Sequence, residues 1–560
     1  MERSPEPAHW REGALWLQLE LPPRGSAELE LAVEPLVDGR RIACTSRRLF
    51  GQPEAPLERL RADLADEMPR LTSSNATVVK TWETATCDLA SLPYGLPDGP
   101  ATPSAGLPLY LQFFGRDSLT IGWQTLMATP TLLRDSLVAN AAWRGRRIDD
   151  WLDEEPGKMI HQARGGPLSV LGIDPFTRYY GDWATPPDFL IMLGQYLAWT
   201  GDRETIRSLL PAARDALDWC ERYGDPDGDG FLEYDTRSPK GVKNQGWKDS
   251  GDAVVDEHGA IVPNPIATSE LQAYWYAGLQ QAALVFAATG DVGYAAQLLG
   301  KARDLRRRFN DVFWMPELGA YALGLDPDKR QIRSIGSNDG HLLASGIVPP
   351  KRGRAVAARL MQPDMFSGWG IRTLSGDHPA FNPFSYHLGS VWPVEQATIA
   401  FGFARYGCWD ELHRLAEAVF ASTDLFIENR LPEVISGVQR DGEHPHPGIY
   451  PDSCEPQGWS ASAIVMLVQS LLAMVPVAPL GLLVVDPHLP GWLPDLRLEG
   501  LRVGSAHLDI EFHRTRSGRT TYRVLRRDGW VRVVRQSPPQ ARGAGLAGRA
   551  WSALTSAIRS

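Results

Sequence analysis

IRSLLPAARDALDWC, residues 206–220, decides the fold class. Ile206, Leu209, Leu210, Ala213, Leu217 and Cys220 recur at intervals of three and four, which is one apolar stripe on a helix. Outward from this stretch the spacing returns. Tyr294, Leu298, Ala302, Leu305, Phe309 and Phe313 make a second stripe. Similar faces lie near 131–143, 187–199, 268–288, 352–361, 394–405, 409–420 and 460–474. About a dozen helices, joined alternately by short and long connections, predict a ring of αα-hairpins with the long loops at one end carrying chemistry.

Strands are expected at both ends. Leu15, Leu17, Leu19 and Leu21 alternate, as do Ala27, Leu29, Leu31 and Val33. Toward the C-terminus come the apolar run Leu482–Val485, then Leu508, Ile510 and Phe512, then Tyr522 and Val524. Asp528-Gly529 reads as a hairpin turn before Trp530. The expected organisation is a β-rich segment over 1–70, the helical barrel over 71–478, a small β-domain over 479–536 and a flexible tail over 537–560. The uncharged run 463–485 is broken by Gln469, Ser470, Pro476 and Pro479, so it reads as helix, turn and strand rather than a membrane span.

The chain has 560 residues and a formal net charge of −10, which argues against a basic nucleic-acid footprint. Its five cysteines form no C-x-x-C pair, so free thiols in a reducing compartment are expected and no zinc site. The N-terminal residues MERSPEPAHWREG lack the apolar core of a signal peptide, and the expected location is cytoplasmic. Nineteen tryptophans point toward carbohydrate, because indoles are common stacking surfaces for sugar rings.

Chemistry is expected on five stretches. In QGWKDSGD, residues 245–252, Asp249 follows Trp247 and Lys248. A carboxylic acid beside an indole is partly desolvated, which favours the neutral form that a general acid needs. In FFGRDSL, residues 113–119, Arg116 and Asp117 could clamp sugar hydroxyls from a loop. SGWGIRTLS and NPFSYHLGSVWP, residues 367–375 and 382–393, offer Trp369, Arg372, Tyr386, His387 and Trp392. Glu433 in RLPEVISG, residues 430–437, and Glu455 in YPDSCEPQGWS, residues 450–460, are both candidate bases. Asp225, Asp227, Asp229 and Gly230 match the first half of a calcium loop, but the closing Glu is missing, so calcium is a minor alternative to an Asx-turn. Two acids from opposite loops of a ring suit inverting glycoside hydrolysis, which needs about 6.5–9.5 Å between them for a water.

The ordered set FFGRDSL, EPGKMIHQAR, QGWKDSGD, FSGWGIRTLS, YHLGSVWP, LPE and C-x-P-Q-x-W resembles the bacterial amylo-α-1,6-glucosidase-like family, similar to the glucosidase half of glycogen debranching enzyme. The resemblance covers roughly residues 70–475. It implies a mainly α fold, an (α/α)6 barrel, and an inverting, exo-acting mechanism on α-glucosides without an organic cofactor. It puts the general acid on Asp249 and the base on Glu433, with Glu455 as second choice. Arg116, Asp117, Trp247, Lys248, Trp369, Arg372, Tyr386, His387, Trp392 and Glu455 would then contact the sugar. One departure stands out: an acid is expected directly before Ala184-Thr185-Pro186, where this chain has Trp183, with Asp182 one earlier. The chain also has no room for a transferase domain, which points to smaller glycosides than glycogen. A carbohydrate substrate is the only partner expected, with no nucleic acid and no membrane, and the oligomeric state stays open. The rival readings are a glycoside phosphorylase on the same barrel and a non-catalytic glycan-binding protein.

Overall fold

The computed structural model describes residues 9–16, 21–23, 25, 36–37, 40–41, 56–95, 99–538 and 540. Residues Met1–Leu60 and Arg61–Ser560 form two separate compact units. The first contains two short hairpins, His9–Arg11 with Ala14–Trp16 and Leu36–Val37 with Arg40–Arg41. The expected alternation at Leu17, Leu19 and 27–33, and the tail from 541 onward, lie outside the described residues.

The described residues of the second unit are built on twelve helices in six antiparallel pairs. The outer member comes first in the chain at α1 (Ala76–Ser91), followed by inner α2 (Gly115–Gln124) and outer α3 (Thr131–Ala142). Inner α4 (Thr185–Thr200) pairs with outer α5 (Arg203–Arg222), and inner α6 (Ser269–Ala288) with outer α7 (Val292–Val312). Inner α8 (Asn338–Ser345) pairs with α9 (Pro350–Leu360), and inner α10 (Pro393–Tyr406) with α11 (Trp409–Thr423). The last inner helix is α12 (Gly458–Leu472), which packs on α1 and on α2 and so closes the ring. This is the expected (α/α)6 toroid.

Burial explains which helices are inside. Every residue of α12 is buried, and a helix apolar on all sides belongs in an interior. In α5 only one face is buried: Ile206, Leu209, Ala213, Leu217 and Cys220 point inward. The inner-to-outer connections are tight. Gly201, at φ +67°, ends α4, and Asp202 caps α5 by accepting from the Glu204 and Thr205 amides. The outer-to-inner connections are long, so the inner helices all begin at the end where the long loops gather.

Two expectations change here. FFGRDSL is not a loop. Phe113–Phe114 is a short strand paired with Gln162–Ala163, and Gly115 begins inner helix α2, so Arg116 and Asp117 sit in a buried first helical turn. Asp528-Gly529 is not a hairpin turn either. Thr520–Asp528 pairs with Ala506–Arg514, but the next strand, Arg532–Arg535, runs parallel to Leu482–Val485 in another sheet. Gly529 is pressed against Ala506, where a Cβ would meet the backbone at 2.9 Å, so the chain turns away at that point. The 463–485 run is helix, then Val475–Val477 and Leu482–Val485 as paired strands. Among the described residues no helix is long and apolar enough to cross a membrane. The C-terminal strands Asp495–Val503, Ala506–Arg514 and Thr520–Asp528 take Arg70–Thr72 as a fourth strand.

Candidate active site

The loop end of the ring holds two carboxylates in different settings. On one side, Asp249 is partly open, with its side chain 26% exposed. The sequence assigns it an indole partner. The groups the structure places on it are a guanidinium and an imidazole: Arg116 Nη2 donates to Oδ2 at 3.0 Å, and His161 Nε2 lies 3.8 Å from the same oxygen. Arg116 also donates to the Gly246 carbonyl at 2.6 Å and pairs with Asp182 at 3.3 Å. Burial works against its charge, and Asp182, Asp249 and Asp117 more than offset this, so the guanidinium stays firmly protonated. Burial, with Arg116 nearby, keeps His161 neutral. Asp182 ties this side to helix α4 by accepting from the Ala184 and Thr185 amides. No acid directly precedes Ala184, and Asp182, one residue earlier, makes these contacts. Trp183 instead packs edge-on against Trp219 at 5.1 Å, with the Lys158 ammonium 5.3 Å from its ring.

On the other side Glu433 is buried, 1% exposed. Tyr386 Oη donates to Oε1 at 2.6 Å and the Cys454 amide to Oε2 at 3.1 Å. Burial raises its pKa, the Tyr386, Cys454 and Gln457 hydrogen bonds oppose the rise, and the Asp249 charge adds to it. Asp117 is electrostatically coupled to both sides. Burial pushes its pKa up to about 7; Arg116 pulls it down, and Asp249 and Glu433 push it up. The three carboxyls therefore share one electrostatic pocket. Tyr110 belongs to it as well: burial and the Glu433 charge push its hydroxyl up to about 12.

Aromatic rings cluster around Trp247. Trp247 meets His341, Trp392, Trp459 and His387 at 5.5, 5.6, 5.7 and 6.2 Å, and His387 stacks on Trp392 at 5.2 Å. The Trp247 indole N–H donates to Glu395 Oε1 at 2.9 Å, which His341 also reaches at 3.0 Å. Tyr386 closes the cluster at 4.6 Å from Trp392.

The structure thus gathers Asp249, Glu433, Arg116, Asp117, Trp247, Tyr386, His387 and Trp392. Four other expected contacts are directed elsewhere. Lys248 is buried, its ammonium spent on the Thr373 carbonyl. The Arg372 donors brace the carbonyls of Gly437, Pro363 and Asp364 and the side chain of Gln439. Trp369 is in a buried cluster with Val391 and Ile435. Glu455 is exposed, and the charges it feels are Arg430 and Asp88, not Asp249 or Glu433. In the Asp225, Asp227 and Asp229 cluster the Lys329 ammonium lies 2.6 Å from Asp227 and 2.9 Å from Asp229, so a lysine already supplies the counter-charge. His161, Tyr110, Trp459 and Glu395 join this group in the structure without being among the expected contacts. His161 lies inside EPGKMIHQAR and Trp459 ends C-x-P-Q-x-W, so the motifs flagged both.

Residues 183–433 match the model of the mannosylglycerate hydrolase MGH1-like glycoside hydrolase domain. A mannosylglycerate hydrolase of Rubrobacter radiotolerans is 33% identical over 124 residues, which is 21% of this chain and 28% of that protein. Among solved structures, a family 63 mannosylglycerate hydrolase of Thermus thermophilus superposes with a TM-score of 0.51 at 15% identity, covering 69% of this chain and 100% of that one. A family 78 rhamnosidase of Bacillus sp. GL1 gives 0.60 at 14% identity, covering 85% and 43%. At such identities the structural likeness establishes the fold alone. The family-model match supports a glycoside hydrolase, without singling out the amylo-glucosidase branch, and the likeness to solved structures supports the helical-barrel fold.

Proposed function

We propose that the chain is an inverting, exo-acting α-glycoside hydrolase for small glycosides. Asp249 protonates the departing glycosidic oxygen. Glu433 takes a proton from a water, which attacks the anomeric carbon from the opposite face, so an α-glycoside yields a β-sugar. The observation that carries this reading is the pairing of two carboxylates from different loops: one is partly open beside a guanidinium, the other buried under neutral donors. The open one suits contact with a leaving group, and the buried one suits holding a single water. Within the class, the family-model match favours an α-mannoside with a small acidic aglycone, such as mannosylglycerate, over an α-1,6-glucan branch.

The test is proton NMR of the purified chain with mannosylglycerate, small α-glucosides and an isomaltose- or panose-type branch, with and without phosphate. Early release of the β-anomer from mannosylglycerate is the expected result. β-Glucose from the branch compound would return the substrate to the amylo-glucosidase branch. A sugar 1-phosphate that needs added phosphate, or binding without turnover, would overturn the hydrolase reading, and release of the α-anomer would overturn inversion.

A further inference from the structure

The loop that carries Asp249 does not hold itself in place. Its first residue, Gln245, is anchored by a carboxylate 92 residues earlier, with the Thr236 hydroxyl oxygen as a second acceptor at 3.1 Å. Asp153 is buried, 1% exposed, and accepts at both oxygens. Oδ2 takes the Tyr179 hydroxyl at 2.7 Å and the Gln245 side-chain amide at 3.2 Å. Oδ1 takes the backbone amides of Arg237 and Ser238 at 2.9 and 3.1 Å. One carboxylate therefore joins three segments: its own loop, the run at Tyr179, and the long connection that ends in QGWKDSGD.

Both partners on Oδ2 lead to the acid. The Gln245 carbonyl accepts from the Trp183 amide at 2.7 Å, and the next carbonyl, Gly246, accepts from Arg116, which grips Asp249. The Tyr179 carbonyl accepts from the His161 amide at 2.8 Å, and the His161 ring is the second group beside Asp249. The Tyr179 hydroxyl accepts in turn from the Val242 amide at 2.9 Å.

The packing around this node leaves little freedom. A Cβ at Gly241 would lie 2.3 Å from the Tyr179 hydroxyl and 2.9 Å from Asp153 Oδ2, and one at Gly181 would lie 2.1 Å from the same hydroxyl. Asp153 itself is at φ +52°, a left-handed conformation that a residue other than glycine adopts at a cost of about 1 kcal/mol or more. Strain held by four hydrogen bonds at a junction of loops fixes geometry more than it adds stability.

We propose that Asp153 is a positioning residue for the general acid, acting through Gln245 and through Tyr179–His161 to set the Asp249 carboxyl against the leaving oxygen. This rests on the hydrolase reading above. Asp153→Asn keeps the shape, tolerates the left-handed backbone, and turns one acceptor into a donor: with its oxygen on the Arg237 and Ser238 amides, its NH2 faces the Gln245 NH2, and that hydrogen bond is lost.

The test compares two substrates with the same sugar: one with a poor leaving group that needs protonation, and a glycosyl fluoride that needs far less. Asp153→Asn should lower kcat on the first by about 10- to 100-fold with KM within about threefold, and on the fluoride by less than about threefold. Tyr179→Phe and Gln245→Met, each removing one arm, should show the same selectivity with smaller losses, and they carry the test if Asp153→Asn does not fold. Equal losses on both substrates, or no loss, would overturn the proposal. Asp249→Asn is run alongside: if it lacks the leaving-group selectivity, the acid assignment fails first, and the two failures are told apart.

Discussion

The two carboxylates are held by opposite kinds of chemistry. Asp249 is a quarter exposed and gripped by a guanidinium that two other oxygens, on Gly246 and Asp182, help to place. Glu433 is sealed in and held by uncharged donors, among them a phenol and a backbone amide. A cation beside a partly open carboxyl keeps it fixed while leaving it reachable. Neutral dipoles around a buried carboxyl orient it without neutralising it, so it remains a strong acceptor once ionised. The difference teaches that position relative to solvent, more than residue type, separates the two proposed roles.

The sharpest way to break the comparison is to neutralise each carboxyl in turn. Asp249→Asn and Glu433→Gln should each lower kcat by about 1,000-fold or more on an unactivated glycoside. Steady-state kinetics on a glycosyl fluoride then separates them, because only the Asp249 variant should recover. If both recover equally, the division of labour is wrong.

Asp117 is buried and also feels both carboxylates, and its cost in stability follows first from the burial. Its carboxyl titrates near 7 in the fold and near the ordinary carboxylate value when unfolded. The stability it contributes is complete below the unfolded value and is lost as pH rises through about 7. At ~1.4 kcal/mol for each pH unit, the loss by pH 8 amounts to a few kcal/mol. Asp117→Asn should therefore melt higher than the parent at pH 8 and show little gain at pH 4. A gain independent of pH would mean that Asp117 is not the group that titrates. Activity should fall in the same variant, the usual trade between a strained site and a stable one.

Arg116 tests whether the acid side depends on geometry or on charge. Arg116→Lys keeps the cation but cannot reach Gly246, Asp182 and Asp249 together. A loss of about 100-fold in kcat/KM is expected, close to ~3 kcal/mol of transition-state stabilisation. Full activity in the lysine variant would reduce the grip to a simple counter-charge.

Much of this architecture was legible, and the gaps have a common cause. Most outer helices announce themselves because one face meets water, as at 206–220, although outer α1 does not. The inner helices α2 and α8 do not: they are short, and their buried faces carry polar residues paired by partners far along the chain. Arg116 finds Gly246 and Asp249 some 130 residues away, and no local pattern records that. The same cause misplaced Lys248 and Arg372. A cation in an aromatic stretch reads as a pocket group, yet both are turned onto backbone carbonyls that only the fold supplies. The motifs located the candidate acid and base loops; which side chains on those loops face the pocket was decided by tertiary contacts.

The smallest expected effect refines the base side. The Tyr386 hydroxyl lowers the Glu433 pKa against the rise that burial imposes. Glu433 must be ionised to take a proton, so activity should fall as pH drops through its raised value. Tyr386→Phe removes the opposing hydrogen bond and should move that acid limb upward. The Cys454 amide remains in place, so the fold and the alkaline limb should hold. The pH dependence of kcat/KM in both proteins reads this directly. A shift toward lower pH, or a uniform drop without a shift, would show that the phenol serves the substrate and not the carboxylate beside it.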